Sequence, residues 1–91
     1  LASHLIKYAD SEIPLQIQIY LWNLIDNLSD PKDYLQVFHL SYFEGKQKII
    51  HKQEEPEYSA EYVFECSERI SGKIYVIDDE KHCTMLLASE Y

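Results

Sequence analysis

The feature that most constrains the fold is a run of apolar residues that recur with the period of an α-helix between residues 13 and 28. The spacings between them are four, four, three and four residues, so they share one face of a helix that turns once every ~3.6 residues. Such a face is stable mainly when it is buried against another element. The spacing therefore predicts a helix over residues 13–28 that packs on a sheet. The residues of this predicted face are Ile13, Ile17, Leu21, Leu24 and Leu28.

The residues at both ends of this run predict where the helix begins and ends. Ser11 is a suitable N-cap, and Pro14 fits the first turn because proline has no N–H to leave unpaired there. Ser29, Asp30 and Pro31 form a turn-prone group that ends the helix.

The same run carries a second apolar stripe, which we call the helix stripe. Leu15, Ile19 and Trp22 follow the i, i+4, i+7 spacing and lie opposite the first face. A helix that packs on one side only does not need this stripe, and tryptophan is a frequent interface anchor. Two interpretations stay open. The stripe docks a protein partner or a second copy of the chain, or residues near the N-terminus cover it.

The chain after residue 33 changes to patterns typical of strands and turns. Residues 34–43 and 47–53 are β-prone and flank Gly45, which predicts a hairpin. Residues 73–77 and 82–88 flank a polar turn and predict a second hairpin. Leu5, Ile6 and Tyr8 indicate a short edge strand near the N-terminus. Tyr62, Val63 and Phe64 indicate another short strand.

The second hairpin predicts which strand residues face the helix. If Ile77 lies opposite His82, the alternation of side chains places five apolar residues on one face. We therefore expect an α+β fold, in which the single amphipathic helix packs on a mostly antiparallel sheet of four to six strands built from hairpins. The sheet face under the helix is predicted to contain Ile74, Val76, Cys83, Met85 and Leu87.

Length and charge limit the domain organisation and the partners. With 91 residues, the chain is expected to form one domain over residues 1–91. It begins with Leu1 rather than methionine, so we expect its natural start to be missing or replaced. Sixteen Asp and Glu against eight Lys and Arg give a net charge of −8, which opposes binding to nucleic acid or to an anionic membrane. No apolar run approaches the ~20 residues that span a bilayer.

The two cysteines and the motif pattern give no indication of catalysis. Cys66 and Cys83 form no CxxC pair, and we expect both to be reduced and buried, as in a cytoplasmic protein. Cys83 follows His82 directly, so on a strand their side chains point to opposite faces. The sequence has no nucleophile elbow and no glycine-rich phosphate loop. We therefore expect a non-enzymatic protein without a cofactor.

One histidine pair offers a candidate metal site. If the first hairpin is symmetric about Gly45, His39 and His51 lie directly opposite each other, close enough to share a metal ion. Glu54 or Glu55 could supply a third ligand. A register that differs by one residue would send the two imidazoles to opposite faces of the sheet.

An acidic stretch between residues 54 and 68 offers another candidate surface. Carboxylates spaced among tyrosines can imitate a nucleic-acid backbone and bind a basic protein, although such a stretch is more often a solvated edge. The candidate residues of this decoy surface are Glu54, Glu55, Glu57, Tyr58, Glu61 and Tyr62.

Several segments together resemble a known family. They are EIPLQ at 12–16, LWNLID at 21–26, DYLQVF at 33–38, KIIHKQEEPEY at 48–58, VIDD at 76–79 and TMLLA at 84–88. In this order they resemble the domain of unknown function 960 family, small uncharacterised proteins of Gram-positive bacteria. The resemblance covers nearly the whole chain. It implies a bacterial, cytoplasmic protein and provides no catalytic residues to carry over.

Three hypotheses on function follow from these patterns. The first is a small non-enzymatic module for protein interaction or self-association, with the helix stripe as its contact surface. The second is an acidic decoy for a basic protein, and the third is a metal-dependent activity at His39 and His51.

Overall fold

The computed structural model describes residues 6–90, in which one α-helix lies on one face of a sheet of six strands. This arrangement confirms the predicted α+β fold and the edge strand near the N-terminus, although Leu5 lies outside the described residues. In chain order the elements are β1 (Ile6–Ala9), α1 (Leu15–Asp26), β2 (Leu35–Phe43), β3 (Lys46–Gln53), β4 (Tyr58–Glu65), β5 (Gly72–Asp78), β6 (His82–Leu87) and a 3-10 turn (Ala88–Glu90).

Helix α1 buries the face that its apolar spacing predicts. Ile17 and Leu21 are fully buried, as is Ile13 just before the helix, whereas Leu24 and Leu28 are only partly buried. Ile25 is fully buried and completes the face. These helix residues contact the buried sheet residues, which include Phe38, Ile49, Ile74, Val76 and Met85.

The predicted N-cap is wrong. Pro14, not Ser11, occupies the N-cap position, and no side chain caps the helix. The reason is a turn that Asp10 organises ahead of the helix, where its carboxylate accepts the N–H of Glu12 at 2.8 Å and its carbonyl accepts the N–H of Ile13 at 3.1 Å. Ser11 is therefore inside this turn rather than at the end of the helix.

The sheet is mixed, with the strand order β1-β6-β5-β2-β3-β4. Strand β1 pairs with β6 in parallel, and all the other neighbouring strands pair antiparallel. Helix α1 connects the edge strand β1 to the central strand β2. Strand β2 thus pairs with both β3 and β5, which brings the two hairpins together.

The register of the first hairpin differs by one residue from the symmetric arrangement about Gly45. Glu44 and Gly45 form a two-residue turn, in which both residues have positive φ values of 49° and 78°, and Phe43 pairs with Lys46. Positive φ at both central residues matches the right-handed twist of the strands. His51 consequently pairs with Phe38, and the predicted pairing of His51 with His39 is wrong.

The register of the second hairpin differs by two residues from the prediction. Val76 pairs with Met85 and Ile77 with Thr84, because the carboxylate of Asp79 accepts the backbone N–H groups of Lys81 and His82 and lengthens the turn. A shift of two residues keeps every side chain on its face. The predicted face under the helix is therefore confirmed, with Leu87 partly buried and four residues fully buried, namely Ile74, Val76, Cys83 and Met85.

Among residues 6–90, no α-helix packs on the opposite face of the sheet, which we call the open face. Its apolar residues are only half-buried, in contrast to the fully buried residues under α1. The residues of this kind along the central strands are Leu35, Val37, Ile50, Tyr75, Ile77 and Leu86.

Candidate binding surface on the open face of the sheet

Three central strands place five side chains next to one another on the open face. Val37 of β2 pairs with Lys52 of β3 on one side and with Tyr75 of β5 on the other. Two residues further along β2, His39 pairs with Lys73. Residues two apart on a strand share a face, so these five residues form one surface, which we call the central patch.

A groove of about 830 Å³ lies over the central patch and extends to the turn between β3 and β4. Val37, His39 and Tyr75 form a half-buried floor, and the side chains of Lys52 and Lys73 are exposed beside it. The groove is open to solvent along the face that lacks a helix.

The central patch is a cationic region in a chain whose net charge is −8. Among residues 6–90, neither Lys52 nor Lys73 forms an ion pair with a carboxylate. The Nζ atom of Lys73 lies 5.9 Å from the centre of the Tyr75 ring. Partial burial lowers the pKa of His39 below its ordinary value, and the positive charges of Lys73 and Lys52 lower it further.

The end of the groove toward the β3–β4 turn is acidic. Glu54, Glu55 and Glu57 are exposed there, and together with Asp33 they form what we call the acidic rim. The carboxylate of Asp33 accepts the backbone N–H groups of Glu54 at 3.3 Å and Glu55 at 3.0 Å. Asp33 thereby holds the turn against the beginning of β2.

A buried chain of polar groups supports the same turn from the helix side of the sheet. The imidazole Nε2 of His51 lies 2.7 Å from Oε1 of Gln36, whose amide donates to Oε1 of Gln53, also at 2.7 Å. The amide of Gln53 donates to the carbonyl of Pro56 at 2.8 Å. Since the Gln36 amide nitrogen already donates, its oxygen accepts from His51, and the proton of the neutral imidazole is on Nε2.

His51 is held neutral by its surroundings. Its ring stacks on Phe38 with 4.4 Å between the ring centres and meets Tyr58 edge-on at 5.3 Å. Its Nδ1 atom is buried without a hydrogen-bond partner among residues 6–90. Burial lowers the pKa of His51 from 6.5 to about 4. The residue therefore belongs to the interior of the fold, on the other face from the central patch.

The helix stripe is partly covered by the chain itself. Leu15 and Ile19 are 68% and 53% exposed, whereas Trp22 is half-buried. The Nζ atom of Lys7, on β1, lies 5.3 Å from the centre of the Trp22 ring and 3.8 Å from the carboxylate of Asp26. The N-terminal strand thus covers part of the tryptophan, and only the first two residues of the stripe are exposed.

The six residues of the predicted decoy surface do not share one face. Glu61 points to the open face of β4, where its carboxylate lies 3.6 Å from Nζ of Lys48. Tyr58 and Tyr62 lie on the helix side, and their hydroxyl groups are 3.2 Å apart. The remaining residues, Glu54, Glu55 and Glu57, belong to the acidic rim. Strand alternation separates Glu61 from Tyr62, because neighbouring residues on β4 point in opposite directions, whereas Tyr58 borders the same groove as the three glutamates of the turn.

His39 and His51 cannot share a metal ion because the observed register places them on opposite faces of the sheet. His39 lies in the central patch and His51 is buried on the helix side. Within residues 6–90, no three His, Cys, Asp or Glu side chains are grouped so that they could hold a metal ion.

Sequence reasoning missed Lys52, Lys73 and Tyr75 as members of one surface. Lys52 and Lys73 are far apart in the chain and lie on either side of β2 only because β2 pairs with both β3 and β5. Strand alternation could have indicated that Lys73 and Tyr75 share a face, but not which strand lies beside them.

The fold defines a class of small α+β proteins in which one helix covers one face of an open mixed sheet. The chain belongs to the DUF960 family, described as Staphylococcal protein of unknown function, whose model matches residues 6–90. A crystal structure of a protein of unknown function from Enterococcus faecalis is similar to it, with 25% sequence identity and a TM-score of 0.77. That similarity covers 99% of this chain and 93% of the other.

Two further findings are absences. No curated protein matches the chain. In residues 6–90, α1 is too short to cross a membrane, and no other helix is long and apolar enough to do so.

Proposed function

We propose that this chain is a non-enzymatic protein-interaction module of the bacterial cytoplasm and that it binds a segment of a partner protein on the open face of its sheet. The observation that carries this proposal is the central patch, where a half-buried apolar floor lies beside two lysines without carboxylate partners. Covering the floor would remove more apolar surface from water, which is the main favourable contribution to most protein–protein association.

The surroundings of the two cysteines support a role without catalysis. Burial raises the pKa of the Cys83 thiol, and the negative charge of Asp78 raises it further. The sulfur of Cys66 is buried and lies 3.0 Å from the carbonyl oxygen of Glu68 and 3.3 Å from the side-chain oxygen of Gln16. A buried thiol with a raised pKa, such as that of Cys83, is a poor nucleophile.

The charge distribution supports a protein partner over a nucleic acid or a membrane. Four carboxylates of the acidic rim lie at one end of the groove, and the whole chain has a net charge of −8. A continuous run of phosphates along the groove would meet this rim and be repelled. A protein segment can instead present different charges at different positions.

The proposal is tested by selecting twelve-residue peptides from a random display library against the purified protein and mapping their contacts by NMR of backbone amides. We expect the selected peptides to shift the amide signals of β2, β3 and β5. Val37→Glu places a charge on the apolar floor and should abolish this binding.

Val63→Glu is the matched control, because Val63 lies on the open face of the edge strand β4, away from the central patch. This variant should bind the peptides as the wild type does. Equal binding by the two variants, peptides that contact only α1, or a selection without binders would contradict the proposal.

Self-association through the helix stripe is a second candidate, favoured by the exposure of Leu15 and Ile19 in the same helix. A second copy packed on these residues would bury two large apolar side chains from each protomer. If this occurs, light scattering should show a dimer, and Leu15→Ser combined with Ile19→Ser should restore the monomer. A wild-type protein that stays monomeric at high concentration would contradict self-association.

A further inference from the structure

We infer that the segment bound on the open face is extended and bipolar, with an acidic side chain over the central patch and a basic side chain at the acidic rim. This inference rests on the proposed function and adds the chemistry and the orientation of the bound segment.

The first observation is a pair of lysines, Lys52 and Lys73, that lie on either side of β2 without a carboxylate of residues 6–90 between them. His39 pairs directly with Lys73, and Lys52 lies on the diagonal from His39 across β2 and β3. From β4, the nearest carboxylate on this face is Glu61, which is already paired with Lys48. Both lysines are positively charged, so an anionic group of a ligand placed between them would be attracted by both.

The second observation is the opposite charge at the end of the groove. Among residues 6–90, no cation pairs with the exposed carboxylates of Glu54, Glu55 or Glu57. Asp33 fixes the backbone of Glu54 and Glu55 but leaves their side chains exposed. A cationic side chain of the ligand is the group that these carboxylates would attract.

The distance between the two charged regions sets the spacing of the ligand charges. The groove extends along β2 from His39 past Leu35 to the acidic rim. Lys52 lies opposite Val37, and Asp33 of the acidic rim precedes Val37 by four residues, which corresponds to ~13 Å in an extended chain. An extended segment therefore needs an acidic and a basic residue about four positions apart, and both then point to the same side because the side-chain period of a strand is two.

This arrangement excludes uniformly charged segments. A wholly acidic segment would be repelled by the acidic rim, and a wholly basic one by Lys52 and Lys73. Reversing the order of the two charges places each of them beside a group of its own sign. The order of charges therefore sets the direction in which the segment lies along β2.

The test uses the same random peptide library, selected against wild-type protein and against Lys52→Gln combined with Lys73→Gln. Peptides selected on the wild type should be enriched in pairs of acidic and basic residues about four positions apart. Their synthetic versions should bind the double variant about ten-fold more weakly, as expected for the loss of two solvent-exposed charge contacts. Exchanging the two charges within a peptide should weaken its binding to the wild type to a similar degree.

Lys46→Gln combined with Lys81→Gln is the matched control, since it changes the net charge equally at positions outside the groove. This variant should bind like the wild type. In addition, NMR titration should show that the pKa of His39 rises when a selected peptide binds, because a carboxylate then offsets the charges of the two lysines.

The outcomes separate this inference from the proposed function. Peptides that bind the open face and are blocked by Val37→Glu, but have no charge pattern or are insensitive to Lys52→Gln with Lys73→Gln, would overturn the bipolar segment alone. Loss of binding in the Lys46 and Lys81 control to the same extent would also overturn it. A selection without peptides at the open face would overturn both proposals.

Discussion

At the scale of single residues, three polar side chains are buried on the helix side of the sheet and are linked by hydrogen bonds. Gln36, His51 and Gln53 are fully or almost fully buried, yet each has a partner for at least one polar atom. Buried polar groups are tolerated when they are hydrogen-bonded. Their chain of contacts reaches Pro56 and thus positions the turn that forms the acidic end of the groove.

His51 is expected to make the stability of the protein depend on pH. Its pKa is about 4 in the folded protein and about 6.5 in an unfolded chain. Between these values the unfolded chain binds the additional proton, so the free energy of unfolding should fall as the pH decreases from about 6.5 to 4. The full loss is about 3 kcal/mol. Urea unfolding between pH 4 and pH 7 measures this dependence.

In the variant His51→Gln, the free energy of unfolding should depend less on pH between about 4 and 6.5. Glutamine does not titrate, and it can still donate a hydrogen bond to Gln36. His39→Gln is the matched control at a partly exposed position and should leave most of the dependence in place. A wild-type slope that survives in His51→Gln would show that other groups cause it.

At the scale of elements, the two hairpins show which errors in register change the surface of the protein. The first hairpin differed by one residue from the symmetric pairing, and this difference separated His39 from His51. The second differed by two residues, and its buried face remained as predicted. Turn geometry decides the register, and the alternation of side chains decides whether a shift matters.

Gly45 is expected to stabilise the first hairpin through its backbone conformation alone. Its φ angle is +78°, and no atom lies within 4 Å of the position where a Cβ atom would be. Gly45→Ala should therefore lower the free energy of unfolding by about 1 kcal/mol through left-handed strain, without a steric clash. Chemical denaturation measures this loss.

Gly45→Asn is the comparison variant, because asparagine adopts left-handed conformations more readily than alanine. It should be less destabilising than Gly45→Ala. If the two variants lose the same stability, backbone strain at this turn is not the cause.

At the scale of the whole molecule, one helix on a six-stranded sheet leaves the two faces of the sheet buried to different degrees. The face under α1 holds the fully buried core, which includes Phe38, Ile49 and Met85. The open face keeps half-buried apolar residues beside Lys52 and Lys73. Stability therefore depends mainly on the helix side, and the open face is the surface to which we assign the proposed binding.

Two substitutions in α1 should show that its buried face contributes more to stability than its exposed face. Leu21 is fully buried and Ile19 is 53% exposed. Leu21→Ala should lower the free energy of unfolding by about 2–5 kcal/mol, because it leaves a cavity in the core. Ile19→Ala should change it by less than about 1 kcal/mol. Thermal unfolding measures both, and similar losses would show that the outer face of α1 is also structural.

The sequence alone determined the features that depend on local periodicity. The buried face of α1 and the buried residues of the second hairpin follow from spacings of 3.6 and two residues, which act within a single element. Tertiary structure decided the parallel pairing of β1 with β6, the shielding of Trp22 by Lys7, and the central patch. These depend on which strands become neighbours, because residues far apart in the chain meet only when burial of the whole core selects one strand order.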